Sequence, residues 1–328
     1  MIVLFLTCVV LTVVSLLTRI ESTWWEGSFS SQVDRPPSGF IISGISANHF
    51  SEVQQMIVSA QQFLPQNWSI LVYDLVGDLS NDEIHHIKSW CNVSYVHVKS
   101  STSVEFDKSL LTNSAWKALI IKKTFKLLPV GSIVVYADAS QVFKTSLAPI
   151  IDIVQRVGIV GRPTVGPLAD FTHPDTFLEL SKILPSSVVS SNISDYVEVP
   201  IICGCITFWL VDPIIESLIL KPFLECSMNK ECILPKGASG LKINNKYSPT
   251  NKCVRSHRGT CHRGDQSVLS TILYGYYVKI NSKRNGTNKA INYPYKLHDL
   301  NVDTKRDGHA KKTPAVCGSK IQSFNSPP

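Results

Sequence analysis

Asp138 is the residue of this sequence whose position most clearly suggests chemistry. It follows the short, largely β-branched apolar run of residues 133–136 and precedes Ala139 and Ser140. A continuous apolar run predicts a strand that is covered on both faces, as in a parallel sheet. Ligands of such sheets lie beyond the carboxyl ends of the strands, and a carboxylate there can hold Mg²⁺ or Mn²⁺ on a diphosphate. The alternative is a strand that ends in an Asx turn without a ligand.

A second polar group stands directly before the apolar run of residues 268–277. Its members are Arg263, Asp265, Gln266 and Ser267. We expect the run to form a helix that Asp265 or Ser267 caps, and the amino end of a helix favours negative charge on a bound partner. For Asp265 the two interpretations are a helix cap alone and a contact with a ligand.

Short apolar segments alternate with helical patterns along the chain. We predict strands at residues 40–46, 68–75, 93–98, 133–136, 157–161 and 199–209, and helices at residues 49–63, 80–90, 110–128, 148–157 and 268–277. One more helix is expected after the loop of residues 172–175, ending at residue 184, and another starting at Asp212-Pro213. Alternation with short connections predicts an α/β fold, a mixed and mostly parallel Rossmann-type sheet flanked by helices in one large domain.

Composition narrows the class of protein. The chain has 328 residues, of which 44% are hydrophobic and 17% charged, which is typical of a globular protein. The formal net charge of +7 comes from dispersed lysines and arginines. Such a surface suits an anionic ligand such as a nucleotide diphosphate, but without a dense basic run it does not indicate nucleic acid as a partner.

The amino-terminal run of residues 2–17 is almost unbroken in its apolar character. As a helix it would span about 24 Å, enough for a thin membrane. We expect a signal anchor at residues 1–20, a stem at 21–38, the main domain at 39–300 and a basic tail at 301–328. The alternative is a cleaved signal peptide and a secreted protein.

Sequons and cysteines agree with an oxidising compartment. N-glycosylation sequons begin at Asn67, Asn92, Asn192 and Asn285. Eight cysteines follow Cys8, enough for four disulfides, and the short loops favour Cys226–Cys232 and Cys253–Cys261. The alternative for the later cysteines is a zinc site with His257 and His262.

Several motifs, taken in chain order, resemble those of a known group of proteins. They are Trp116-Lys117, Tyr136-Ala137-Asp138-Ala139-Ser140, Thr172-His173-Pro174, Cys203-Gly204-Cys205, Lys221-Pro222-Phe223, Cys226 with Cys232, and His262-Arg263-Gly264-Asp265-Gln266-Ser267. Over roughly residues 39–277 the chain resembles animal nucleotide-diphospho-sugar transferase-like proteins, which are similar to type II membrane glycosyltransferases of the GT-A fold. The resemblance implies a GT-A-like domain in the Golgi or endoplasmic reticulum lumen.

The resemblance also implies roles for individual residues. Asp138 would be the first acid of an Asp-x-Asp motif that binds Mn²⁺ or Mg²⁺, with Ser140 where the second acid is usual. Ser140, a water or a late histidine would complete the metal shell, and the late candidates are His298 and His309.

The other implied roles concern the donor. Lys117 and Arg263 would bind the nucleotide-diphosphate sugar, and Asp265 and Gln266 would orient the transferred sugar or the acceptor. A surface position is the alternative for Lys117, and a place in the core is expected for Trp209.

The function that follows is transfer of a sugar from a nucleotide-diphosphate donor to a glycan, protein or lipid acceptor. Transfer requires neutralisation of the leaving diphosphate, orientation of the sugar and, in some mechanisms, a base. Two alternatives from other classes remain: a catalytically inactive domain that binds a nucleotide sugar or glycan, and a secreted, disulfide-linked interaction protein.

Overall fold

The computed structural model of the chain describes residues 38–65, 67–98, 114–238, 262–279, 302–304 and 314–316. Its strands are β1 (Gly39–Ile45), β2 (Trp68–Asp74), β3 (Val93–His97), β4 (Ile133–Ala137), β5 (Gln141–Phe143), β6 (Ile159–Pro167), β7 (Pro200–Leu210) and β8 (Val302–Thr304). Its α-helices are α1 (Phe50–Phe63), α2 (Asn81–Ser89), α3 (Trp116–Phe125), α4 (Ala148–Val157), α5 (Pro174–Ile183), α6 (Pro213–Ile215), α7 (Lys221–Met228), α8 (Lys230–Ile233) and α9 (Gly264–Tyr274).

Six strands form one sheet in the order β3-β2-β1-β4-β7-β6. The first four strands run parallel, as in the pairs Ile41 with Ile70 and Ile41 with Val135. β7 is antiparallel to both β4 and β6, for instance in the pair Val135 with Phe208. The predicted α/β fold with a mixed, mostly parallel sheet flanked by helices is therefore confirmed.

Alternate side chains of the central strands supply two separate cores. Ile41 on β1 belongs to the core that contains α1 and α4, whereas Ile42 belongs to the core that contains α3, α7 and α9. The strands are buried on both faces because a parallel sheet is covered by helices on both sides. The carboxyl end of β4 lies next to α3 and α9, whose amino-terminal residues are the ones singled out from the sequence.

Two predicted helix starts are confirmed by their caps. The Ser80 hydroxyl accepts a hydrogen bond from the Glu83 amide, and the Glu83 carboxylate accepts one from the Ser80 amide, which completes a capping box. Asp212 accepts bonds from the amides of Ile214 and Ile215. Both helices begin where a side-chain oxygen can satisfy amides that have no partner within the helix.

Three predicted boundaries are wrong. The helix expected from residue 110 begins at Trp116, after Ser114 with a φ of 62°, and residues 110–113 lie outside the described chain. The strand expected at residues 157–161 runs from Ile159 to Pro167. α9 begins at Gly264 rather than at residue 268.

The two short carboxyl-terminal pieces that the structure describes lie against the domain. β8 pairs antiparallel with β5. Val316 forms a bridge with Trp90, and the amide of Ala315 donates to the side-chain oxygen of Gln61. Residues 302–304 and 315–316 therefore contact elements of the main sheet-and-helix domain.

Cysteine pairing is partly as expected. The Cys226–Cys232 disulfide is confirmed, and a second disulfide, Cys203–Cys205, was not predicted. Cys91 is also disulfide-bonded. The expected pair Cys253–Cys261 lies outside the described residues, as does the zinc alternative at His257. The other member of that alternative, His262, has both ring nitrogens in hydrogen bonds to the main chain.

The predicted anchor lies outside the described residues as well. Within the part of the chain that the structure describes, no helix has the length and apolar character needed to cross a membrane.

Candidate functional site

The turn after β4 leaves the carboxylate of Asp138 available for other contacts. The main-chain oxygen of Asp138 closes the turn by accepting from the Gln141 amide, and the Asp138 amide donates to the Cys205 carbonyl at 2.8 Å. The carboxylate instead accepts from the hydroxyl of Tyr136 and contacts the ammonium of Lys117. The Asx-turn alternative for Asp138 is therefore wrong.

Lys117 occupies the centre of the site. Its side chain is 9% exposed, and its Nζ lies 3.2 Å from Oδ1 of Asp138 and 3.1 Å from Oδ2 of Asp265. It also donates to the carbonyl of Gly204 at 2.8 Å. The ammonium therefore bridges two acids that belong to different elements, and the surface alternative for Lys117 is wrong.

Aromatic rings surround the lysine on the side of the sheet. Nζ of Lys117 lies 5.1 Å from the ring centroid of Tyr136, and the rings of Trp116 and Tyr136 meet edge to face. Gly44 on β1 makes room for this arrangement, since a Cβ there would lie 2.3 Å from the Trp116 ring. The faces of both rings attract the cation, whose Nζ lies 5.8 Å from the Trp116 centroid.

Asp265 stands in the first turn of α9, where the helix dipole favours a negative charge. It does not act as the N-cap, because Arg263 occupies that position and the Asp265 carboxylate faces Lys117. Ser267 is not the cap either. Its hydroxyl donates to the carbonyl of Phe171 at 2.6 Å and so connects α9 to the loop before α5.

The segment before α9 is fixed by His262. The Nδ1 atom of His262 accepts from the amide of His173, and Nε2 lies 2.7 Å from the carbonyl of Ile233, to which it donates. Burial is the main reason that the pKa of His262 falls to about 4. A neutral imidazole therefore holds the start of α9 against α8.

Opposing effects determine the charges of the central cluster. Burial alone would lower the pKa of Lys117, but the attraction of Asp138 and Asp265 outweighs burial and raises it. Burial raises the pKa of Asp265. The charge of Lys117 lowers this pKa, and the nearby charge of Asp138 raises it further, so that the net effect is an increase. The phenol pKa of Tyr136 lies well above its ordinary value through burial and the Asp138 carboxylate, so Tyr136 stays a donor.

A buried cluster of one lysine and two acids is better explained by a role in function than by a contribution to stability. Removing an ion from water costs several kcal/mol, and apolar side chains in its place are often as stable or more so. Perturbed ionisable groups at the carboxyl ends of parallel strands are instead typical of ligand sites. A small cavity beside the cluster is lined by Lys117, Tyr136, Gly204, Asp265 and Gln266 among others.

The structure brings together three of the residues predicted from the sequence, Lys117, Asp138 and Asp265, with Gln266 beside them. Arg263 lies at the same helix start, where its guanidinium stacks 4.3 Å from the Phe171 ring centroid and donates to the Gln266 side chain. Ser140 is buried two residues beyond Asp138.

Three further residues were singled out from the sequence. Trp209 is fully buried in the core, as expected. His298 and His309 lie outside the described residues.

Two residues of the site were missed. Tyr136 is on β4, two positions before Asp138, which directly follows the strand, so alternation of side chains continued by one residue could have placed both on one face. No sequence pattern identifies Gly204 as a site residue, because it acts through its main-chain carbonyl and through the space left by its missing Cβ. A Cβ at Gly204 would lie 2.1 Å from Oδ2 of Asp265.

The donor set of the site accommodates a divalent cation that arrives with a diphosphate. Among the described residues, the contacts of the Asp138 carboxylate go to Oδ1, and the side chain is 28% exposed, which leaves Oδ2 for a ligand. Mg²⁺ in particular is usually bound through one or two carboxylates together with substrate phosphates and water. No group of three His, Cys, Asp or Glu side chains suited to a metal occurs within the described ranges. The described residues therefore suit a cation that is bound partly by Asp138 and partly by the phosphate oxygens of a nucleotide.

Comparison with known proteins found similarity in structure alone. No family model and no curated protein matches the chain. Among solved structures, the chain is similar to the bifunctional glycosyltransferase WbbM (14% identity, TM-score 0.34, 60% of this chain and 36% of that one). It is also similar to mouse xyloside xylosyltransferase 1, with 10% identity and a TM-score of 0.36 over 73% of this chain and 82% of that one. A third similar structure is the galactosyltransferase LgtC in complex with donor and acceptor sugar analogues, with 11% identity and a TM-score of 0.36 over 81% of this chain and 86% of that one. The chain thus spans about a third of the length of WbbM.

Proposed function

We propose that this protein is a glycosyltransferase that binds the diphosphate of a nucleotide-sugar donor at the carboxyl end of β4. The observation that carries the proposal is the buried ammonium of Lys117, held between Asp138 and Asp265 beside an open carboxylate oxygen. Sugar transfer from such a donor releases a diphosphate, and its negative charge grows as the bond to the sugar breaks. Fixed charges at that place lower the barrier most when they are oriented beforehand.

Lys117 supplies a fixed positive charge close to this point. Its raised pKa keeps the ammonium protonated at neutral pH. Since the group is enclosed by protein, its field is screened less than that of a surface lysine. Three contacts already orient it, so little reorganisation is needed when a donor binds.

Asp265 and Gln266 suit the sugar part of the donor. Both line the cavity next to Lys117, and together they offer carboxylate and amide groups that can accept from and donate to sugar hydroxyls. Arg263 is stacked on Phe171 at the same helix start, where a guanidinium can pair with a phosphate.

A divalent cation is part of the proposal. With all three groups ionised, one ammonium and two carboxylates leave the cluster with one net negative charge, which disfavours a diphosphate. A cation bound by Oδ2 of Asp138 would reverse the sign and neutralise the leaving group. Ser140 is placed two residues further along, and His298 and His309 remain predicted ligands.

We further propose that the domain works in the lumen of the secretory pathway, on a glycan, protein or lipid acceptor. The disulfides Cys203–Cys205 and Cys226–Cys232 support an oxidising compartment. Asn67, Asn92 and Asn192 of the sequons are exposed at the surface, where glycans can be accommodated.

The test is calorimetric titration of residues 26–328 with UDP and GDP, each with and without Mn²⁺, followed by donor hydrolysis with a panel of nucleotide sugars. We expect one nucleotide to bind more tightly with Mn²⁺ present and its sugar conjugate to be hydrolysed slowly. Binding without hydrolysis or transfer would assign the domain to the inactive, sugar-nucleotide-binding class. No binding of any nucleotide would overturn the proposal in favour of an interaction protein.

A further inference from the structure

β7 is bulged relative to β6 at the point where it passes the site. On its outer side, Ile202 is paired with Pro163 and Thr207 with Gly161. Four residues of β7, 203–206, therefore stand opposite the single residue Arg162. Bulges bend a strand and re-aim its groups, and they are frequent beside active sites.

The bulge directs two main-chain carbonyls into the site. The carbonyl of Gly204 accepts from Nζ of Lys117 at 2.8 Å. The carbonyl of Cys205 accepts from the amide of Asp138 at 2.8 Å. Two residues of the central cluster thus depend on the conformation of the same short stretch of β7.

A disulfide closes this bulge. Cys203 and Cys205 are bonded to each other across Gly204, and the Cys205 amide also donates to the Cys203 sulfur at 3.2 Å. A disulfide that encloses so short a loop restricts the unfolded chain least, so stabilisation of the fold explains it poorly. What it does restrict is the direction of the enclosed carbonyl, because the ladder to β6 is interrupted there.

The packing around Gly204 leaves little tolerance for movement. Oδ2 of Asp265 would lie 2.1 Å from a Cβ at this position, so the helix start of α9 sits directly against the bulge. A turn of the Gly204 peptide would remove the carbonyl from Lys117 and disturb the contact with Asp265 at the same time.

We propose that the Cys203–Cys205 disulfide is a positioning element of the site: it fixes the bulge of β7 so that the carbonyls of Gly204 and Cys205 hold Lys117 and Asp138 ready for a nucleotide diphosphate. The choice of ligand rests on the proposed function, whereas the effect on Lys117 does not. The two are therefore tested by separate measurements.

The test compares the wild type with the double variant Cys203→Ser/Cys205→Ser. The matched control is Cys226→Ser/Cys232→Ser, which removes a disulfide between α7 and α8 that has no contact with Lys117. The first measurement is the rate at which N-hydroxysuccinimide acetate acetylates Lys117, mapped by peptide mass spectrometry with Lys122 as an internal reference. We expect the rate to rise at least about tenfold in the first variant, because the lysine opens to solvent more often, and to stay unchanged in the control.

The second measurement is UDP affinity with Mn²⁺, together with thermal unfolding of each protein. We expect the first variant to stay folded and to lose at least about tenfold in affinity, while the control keeps its affinity. Unchanged acetylation of Lys117 would overturn the inference, and so would unfolding of the first variant alone, which would make the disulfide a fold-stabilising one. Faster acetylation with no UDP binding by the wild type would leave the inference standing and refute the proposed function.

Discussion

Lys117 and Asp265 meet at 3.1 Å although each is the second residue of a different helix, α3 and α9. The two positions are not equivalent electrostatically. The amino end of a helix favours the carboxylate of Asp265 and disfavours the ammonium of Lys117. The dipole of α3 therefore destabilises the charge of Lys117. Asp265, Asp138 and the Gly204 carbonyl stabilise that charge instead.

Replacing Lys117 by Met should both weaken the fold and abolish nucleotide binding. The change leaves two acids facing each other without their cation, and loss of one partner from a buried ion pair costs about 3–5 kcal/mol. Chemical denaturation gives the free energy of unfolding. Lys122→Met on the same helix is the control, since its partly exposed pair with Glu216 should contribute less than about 1 kcal/mol. Equal losses in the two variants would contradict a central role for Lys117.

Asp138→Asn should reduce cation-dependent nucleotide binding without unfolding the protein. The amide keeps the shape of the carboxylate and can still accept from Tyr136, and the side chain lies at a rim with 28% exposure. The lost charge should lower the affinity for UDP with Mn²⁺ at least about tenfold, or about 1.4 kcal/mol. Titration calorimetry measures it, with the exposed Asp152→Asn as control. Wild-type affinity for both UDP and Mn²⁺ would refute the metal assignment.

Asp265→Asn should affect turnover more than nucleotide binding. Lys117 lies between Asp265 and Asp138, and Asp265 lines the cavity with Gln266. We therefore expect kcat for donor hydrolysis to fall by at least about tenfold, with UDP affinity changed by less than about threefold. A loss confined to UDP affinity would place Asp265 at the diphosphate instead of at the sugar.

Folding stability should fall on acidification because of His262. Its pKa drops from an ordinary 6.5 to about 4 in the folded protein. The unfolded chain thus takes up a proton first as the pH decreases, and the stability present above pH 6.5 is lost progressively towards pH 4. Between pH 7 and pH 5 the loss should be about 2 kcal/mol.

Urea unfolding at these two pH values measures the His262 effect. His262→Gln keeps hydrogen-bonding groups but cannot take up the proton, so its stability should vary less with pH by about the same amount. An identical pH dependence in the variant and the wild type would exclude His262 as the cause.

N-glycosylation should be found at the surface asparagines of the sequons. Asn67, Asn92 and Asn192 are all exposed, and none belongs to the cluster around Lys117. Treatment of the cell-expressed protein with an N-glycan-removing glycosidase should increase its electrophoretic mobility, and Asn→Gln changes at the three sites should each reduce the shift. A mobility that never changes would contradict a lumenal location.

Local patterns in the sequence determined the α/β class, most strands and the strand end at Asp138. Their periodicity and apolar runs reflect burial on both faces of a sheet, which each segment expresses by itself. The capping box at Ser80 and the Asp212-Pro213 start were equally readable, because a cap requires only neighbours in the chain. The Cys226–Cys232 disulfide belongs to the same category of short-range contacts.

The tertiary structure alone decided what these residues do together. Lys117, Asp138, Gly204 and Asp265 come from four separate elements, and their distances depend on how α3 and α9 pack against β4 and β7. No pattern in the chain encodes that packing, so Lys117 could be read as a surface residue and Asp265 as a cap. The bulge closed by Cys203–Cys205 was invisible for the same reason: it exists only where β7 loses its register with β6 while remaining beside the end of β4.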